Sequence, residues 1–325
     1  MNPRITAFDQ LAFLLKLQPT EGVDALPTPV LNAFQILEGT AKINATGVDR
    51  KITKPYWNTA RKKFGKYYVE INGTIELVTP ANPGVDKSPH GVALQICGMA
   101  ETLRAAAVGP PAVDAATVYN MISRNIPAGT GYFYHADEYY KGLDMRGDLS
   151  SLTQQIGVVP TAKLKLWGNC QNTIEADLPT GLDYSKFLEP TIGSTESMEL
   201  TIDDFAVQGI SHVFEFGNTL GIREHTLART SRISGRQSTF KAQFYRTAKA
   251  DFDPYAKWKK GDIVEVVSTT FEDGGDGRYW NLRTLGQVID VDKVDADNEN
   301  TFQVSFQAVA SDAGNDECAL EFAQS

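Results

Sequence analysis

The sequence predicts a mainly β protein of two tandem halves, each a β-sandwich or half-barrel with one flanking helix. Three observations carry that prediction. Short runs alternate between polar and apolar residues, the order of strands and loops recurs in the two halves, and one helical period follows each strand pair. Alternation of period two gives a strand one wet and one dry face, as in a half-buried antiparallel sheet.

Between Ile36 and Asn44, Glu38, Thr40, Lys42 and Asn44 oppose Leu37, Ala41 and Ile43. Between Tyr68 and Leu77, Glu70, Asn72, Thr74 and Glu76 oppose Val69, Ile71, Ile75 and Leu77. Lys163 and Lys165 alternate with Leu164 and Leu166, and Glu199, Thr201 and Asp203 with Leu200 and Ile202. Thr239, Lys241 and Gln243 oppose Phe240, Ala242 and Phe244. Gln303, Ser305 and Gln307 oppose Phe302, Val304 and Phe306.

In the first half, a strand ending near Asn44 leads through a basic loop, Arg50 to Lys66, to a partner strand from Tyr67. In the second, a strand from Leu200 to Val207 leads through a loop ending at Gly235 to a partner from Gln237. Helices are expected at Ala93–Arg104, where Ala93, Ile96, Ala100 and Leu103 share a face, and from Pro254, a favoured first helical residue. Glu175–Ser197 has the Pro/Gly/Ser bias of a connector. The expected division is an N-terminal arm at 1–29, halves at 30–176 and 198–325, and a linker at 177–197.

A chain of 325 residues, 42% hydrophobic and 22% charged, buries a core without metal or disulfide support. The net charge of -9 argues against a protein that grips nucleic acid, since phosphate binding needs an excess of Lys and Arg. Cys97, Cys170 and Cys318 stand far apart, which fits a reducing folding environment. Leu11–Leu17 is far shorter than a membrane-spanning helix, and no signal-peptide pattern is read, so neither export nor a membrane anchor is expected.

No catalytic motif or cofactor site is read. His90, His135, His212 and His225 lack metal-ligand spacing, and nucleophile-elbow and phosphate-loop patterns are missing. The acidic Glu272–Trp280 reads as a hairpin turn and Asp290–Asn300 as a solvated loop, rather than as calcium sites. The basic loop carries Arg50, Lys51, Lys54, Arg61, Lys62 and Lys63 around Tyr56 and Trp57. A protein contact with an acidic neighbour is favoured there over nucleic acid.

Five stretches resemble the tail tube proteins of siphovirus-type bacteriophages, of the kind found in transposable, Mu-like siphophages. They are Gly47–Trp57 with Gly65–Leu77, Ala93–Thr102, Leu178–Pro190 and Ser311–Phe322. Where that family carries a glycine-rich stretch, this chain has Val78–Gly91. The resemblance implies a tail-tube-type sandwich, strands lining a lumen, and loops that reach the next ring. Two such folds in one chain imply a ring of three with pseudo-sixfold symmetry, in a virion tail assembled in the host cytoplasm. Self-association, transient passage of a tape measure protein and DNA, and tail terminator and distal tail proteins at the ends are the implied partners.

On that reading the lumen is lined by Glu38, Lys42, Glu70, Asn72, Glu76, Lys163, Lys165, Glu199, Asp203, Lys241, Gln243, Gln303 and Gln307. Ring stacking falls to the basic loop and to a second loop holding Arg223, Arg229 and Arg232. Alternative readings are another tail ring component, either terminator or distal tail protein, and a carbohydrate-binding sandwich that would need Trp57, Trp167, Trp258 and Trp280 on an exposed platform.

Overall fold

A computed structural model describes residues 10–49, 61–107, 113–170, 173–224, 226, 229–249, 251–272, 277–296 and 298–325, with only the backbone at Lys66. The first part of the chain contains β1 (Leu11–Leu17), α1 (Pro29–Asn32), β2 (Glu38–Val48), β3 (Lys63–Glu76) and α2 (Gly91–Ile96). It continues through β4 (Met99–Arg104), β5 (Ala115–Met121), β6 (Gly129–His135), β7 (Glu138–Gln155), β8 (Thr161–Cys170) and the short β9 (Ile174–Glu175). The fold is mainly β, and all of these strand pairings are antiparallel.

After an irregular stretch come β10 (Met198–Ile202), β11 (Phe205–Val207), β12 (Gly209–Glu215), β13 (Asn218–Glu224), β14 (Arg229–Arg236) and β15 (Thr239–Tyr245). Then follow α3 (Pro254–Lys260), β16 (Ile263–Phe271), β17 (Arg278–Ala296), β18 (Glu299–Ala308) and β19 (Cys318–Gln324).

Five pairings of the first part recur in the second. The pairs β1–β6, β2–β3, β3–β8, β6–β7 and β7–β8 correspond to β10–β16, β12–β15, β15–β18, β16–β17 and β17–β18. One bulge also matches. One residue is extruded from β7 at Ser150, between Leu149 and Ser151, and one from β17 at Ile289, between Val288 and Asp290. Such bulges bend a strand and increase its twist.

The two sets join where β7 pairs with β12, Leu152 opposite Phe214 and Gln155 opposite Ser211. The result is a continuous run of eight strands in the order β2, β3, β8, β7, β12, β15, β18, β17. Its dry face carries Val69, Ile71, Leu164, Leu166, Phe214, Phe240, Phe244, Val304 and Phe306, all buried. Outer strands cover that face. Phe133 of β6 approaches Gly39 of β2 so closely that a Cβ at Gly39 would lie 2.9 Å from its ring, while Ser268 and Thr270 of β16 reach the β7–β12 seam.

Among the described residues the hairpin β4–β5 has no counterpart in the second part. It pairs instead with β19 at the C-terminus, so the outer layer of the second set is completed by strands from the first.

Each of the six alternating runs contributes to a strand, but several expectations are corrected. The helix expected over Ala93–Arg104 stops at Ile96. Gly98, at φ 92°, turns the chain into β4, whose Leu103 is 43% exposed rather than on a helix face against the core. The segment assigned to an N-terminal arm includes β1, whose Ala12, Phe13, Leu14 and Leu15 are buried against the core. A uniformly apolar run of this kind marks a strand covered on both faces.

In the second half, the run from Leu200 to Val207 is two strands, β10 and β11, hinged at Asp203 and Asp204, both at positive φ. The true partner of β15 is therefore β12. Most of Asp290–Asn300 is the β17–β18 hairpin rather than a loop.

Helix α3 begins as expected. Asp253 Oδ1 accepts from the N–H groups of Tyr255 and Ala256, Pro254 occupies the first turn, and Gly261 closes the helix at φ 70°. Because the cap satisfies two otherwise orphaned donors, Asp253→Ala should lower unfolding stability by about 1 kcal/mol in urea titration. A variant as stable as the parent would show that the cap is dispensable.

Candidate functional site

The wet face of the eight-strand sheet is where the structure gathers most of the polar residues singled out in the sequence. Opposite residues in a ladder share a face, so the registers define rows across it. Glu38, Thr74, Lys163 and Ser151 form one row. Glu76, Thr161, Thr153, Val213, Lys241, Ser305 and Asp290 form another, crossing from one repeat to the other. Lys42 faces Glu70, Asn72 faces Lys165, Gln243 faces Gln303, and Thr239 faces Gln307.

Eleven of the thirteen predicted face residues thus share one surface: Glu38, Lys42, Glu70, Asn72, Glu76, Lys163, Lys165, Lys241, Gln243, Gln303 and Gln307. Glu199 and Asp203 do not. They belong to β10 and its turn, which pair with β16 in the outer layer, and Asp203 is tied to Lys257 of α3. Alternation identified their exposure, but it carries no information about which layer a strand joins.

The face also contains residues that the sequence reading missed. Glu215, Asp290 and Asp292 lie on it, as do Arg146 and Asp148 opposite Trp167 and Lys165, and with Glu38, Glu70 and Glu76 the carboxylates outnumber the cationic groups there. The surface is hydrophilic and mildly acidic. Glu70 is the most tightly held member. It accepts from Asn44 Nδ2 at 2.9 Å and Asn72 Nδ2 at 3.2 Å, and its carboxylate lies 3.7 Å from Lys165 Nζ. Lys165 in turn sits 5.3 Å from the ring centre of Trp167, which packs on Tyr68.

The seam between the repeats has a polar interior. Gln154 of β7 lies opposite His212 of β12, and on the dry side both meet Ser268 of β16, whose Oγ is 2.5 Å from His212 Nε2. Gln154 Nε2 donates to Thr270 Oγ1, and the imidazole stacks on Phe240. All four polar residues of this cluster are buried, so their mutual hydrogen bonds replace those lost to water. Burial holds the His212 imidazole neutral, with its pKa lowered to about 3.

The second expected loop is a β-hairpin, β13–β14, that continues the β12–β15 pair and folds back onto the first repeat. Asn218 N–H donates to Asp148 Oδ1 at 2.9 Å, and its side chain to the Cys97 carbonyl at 2.7 Å. Arg146 donates to the Ser231 carbonyl at 2.6 Å. Arg236 bridges to Glu317 at 2.9 Å and to the Ile122 carbonyl at 2.6 Å. Arg229 is engaged by Glu224 and by the Tyr67 carbonyl, while Arg223 and Arg232 are exposed.

This hairpin is therefore an intramolecular clamp along much of its length. Of the first loop, Arg50, Lys51, Lys54, Tyr56 and Trp57 lie outside the described residues. Arg61, Lys62 and Lys63 are exposed, and Lys62 pairs with Asp49 at 3.3 Å.

Trp280 is buried, Trp167 is half-buried beside Tyr68, and Trp258 is 43% exposed on α3. Among the described residues, no helix is long and apolar enough to cross a membrane. Comparison with protein-family models finds no match, and comparison with curated proteins finds none either.

His212 and the buried His90, also lowered to about 3 by burial, give a signed pH dependence. An unfolded histidine titrates near 6.5. Each group therefore contributes its full stability above that pH and loses it as pH falls from about 6.5 towards about 3. Denaturation midpoints should drop between about pH 7 and about pH 5, and His212→Gln should flatten that slope. The same slope in the variant would show that the seam histidine is not responsible.

Proposed function

We propose that this chain is a structural subunit whose copies close into rings, and that the rings stack into a tail tube conducting double-stranded DNA. The observation that carries this reading is the eight-strand sheet, two matched sets of four, with one predominantly polar face and an apolar face covered by an outer layer. A surface that crosses eight strands with few apolar side chains suits the wall of a water-filled bore.

Size supports the same reading. Three chains of eight strands give about 24, and at about 4.8 Å per strand with a tilt near 40° the wall has a radius of about 24 Å. After allowing about 6 Å for side chains on each side, the bore is about 35 Å across, wide enough for a duplex of roughly 20 Å. The face holds more carboxylates than ammonium groups, so phosphate is repelled mildly rather than captured, and DNA slides without adhering. Closure also removes the exposed strand edges of the isolated subunit.

In this reading each repeat is a tail-tube-type sandwich, the ring contains three chains, and the tape measure protein precedes DNA through the bore. Terminator and distal tail proteins close the ends, and the mature location is a virion tail assembled in the host cytoplasm. The basic loop between β2 and β3 is the stacking arm. The chain acts by assembly and passage, with no catalytic step and no cofactor.

Negative-stain microscopy of the purified chain should reveal rings or tubes with a central hole. Persistent monomers at high concentration would overturn the reading. In assembled tubes, Glu70→Lys combined with Glu76→Lys should leave the wall intact but slow DNA delivery, because the added positive charge holds phosphate. Unchanged infectivity of such phage would remove this face from the bore.

A further inference from the structure

The eight-strand run ends at two edges, β2 and the C-terminal half of β17. Neither has a strand partner on its outer side among the described residues. Each edge has a counterpart inside the chain. By the matched pairings β2 corresponds to β12, and by the matched bulges β17 corresponds to β7. Those counterparts are joined to each other at the internal seam.

Resting on the ring-forming reading above, we propose that β2 of one copy pairs antiparallel with the C-terminal half of β17 of a second copy, in the register of the internal seam. The register follows from the ladders. Thr74 and Lys241 hold equivalent places, so Glu38 takes the place of Val213. Leu149 and Val288 flank equivalent bulges, so Asp292 takes the place of Thr153. Since Val213 faces Thr153 across the internal seam, Glu38 faces Asp292 across the intermolecular one. Leu37 then meets Lys293, Gly39 meets Val291, and Thr40 meets Asp290.

The exposure pattern fits a covered edge that is open in the single chain. Leu37 stands where the buried His212 stands internally, yet it is 49% exposed, and Lys293 at the place of buried Gln154 is also exposed. Pairing buries Leu37 against Val291 and the methylene stem of Lys293 on the dry side. The buried hydrogen-bonded cluster of the internal seam is thereby replaced by an apolar contact. On the wet side, Glu38 and Asp292 meet as like charges, which weaken a cross-strand pair and make this seam the more labile of the two. The same charges discourage edge-to-edge association of the free subunit in other registers.

Cysteine cross-linking of the full chain tests the register. Directly opposite residues have Cβ atoms about 5 Å apart and diagonal ones about 7 Å or more, so only the true pair oxidises readily. Glu38→Cys with Asp292→Cys, both at exposed positions, should give disulfide-linked dimers and a covalent ring of three under mild oxidation, with neither single variant doing so. The slipped pair Glu38→Cys with Asp290→Cys should stay largely unlinked.

Rings or tubes seen by microscopy without the Glu38–Asp292 link, or with the slipped pair linking instead, overturn this register while the tube reading survives. Linked chains without a bore keep the pairing and overturn the tube. Monomers with no link overturn both. Independently, Asp292→Asn relieves the like-charge contact and should lower the concentration needed for assembly several-fold, whereas a raised threshold overturns the proposed pairing.

Discussion

The main-chain hydrogen bonding between β7 and β12 is the contact on which the architecture turns. Without it the eight-strand run would break into two sets of four. With it, one wet face and one dry face run unbroken through both repeats. The two unlike faces fix the register, because a slip of β12 by one residue against β7 would carry Val213 into the core and His212 onto the surface. Ser268 and Thr270 reinforce that choice from the covering layer by giving the buried polar pair partners found only in this alignment.

The same junction explains the β13–β14 hairpin. As an extension of β12 and β15, it is directed by the seam across the first repeat, where Asn218, Ser231 and Arg236 find backbone acceptors and the Asp148 carboxylate. A basic, glycine-containing stretch thus becomes a clamp between repeats. Most of its expected counterpart between β2 and β3 lies outside the described residues. The two loops look alike in composition.

Much of the inner sheet was legible from alternation alone, because a strand with one covered face must alternate and Phe240, Ala242 and Phe244 leave little choice of side. The order of parts suggests a duplication, but the strand that matches β2 is β12 rather than the Leu200–Val207 run. The failures have specific causes. Gly98 reverses the backbone in the middle of a helical period, so Ala100 and Leu103 fell in with Ala93 and Ile96 by spacing alone. Asp203 and Asp204 adopt positive φ without a glycine to announce it, which hid the β10–β11 hinge. Alternation marks Glu199 as exposed but not its layer, since layer membership depends on a pairing with β16 more than sixty positions away. Asp290 and Asp292 were hidden by the bulge at Ile289, which breaks the alternation just where the strand reaches the edge.

One consequence lies in the unmatched hairpin β4–β5. The inner strands occur twice per chain, whereas this outer ridge, completed by β19, occurs once. A closed assembly of such chains would therefore carry different rotational orders on its two surfaces, with the channel wall repeating at twice the frequency of the exterior relief. Anything gripping the outside would encounter fewer equivalent footholds than anything travelling within.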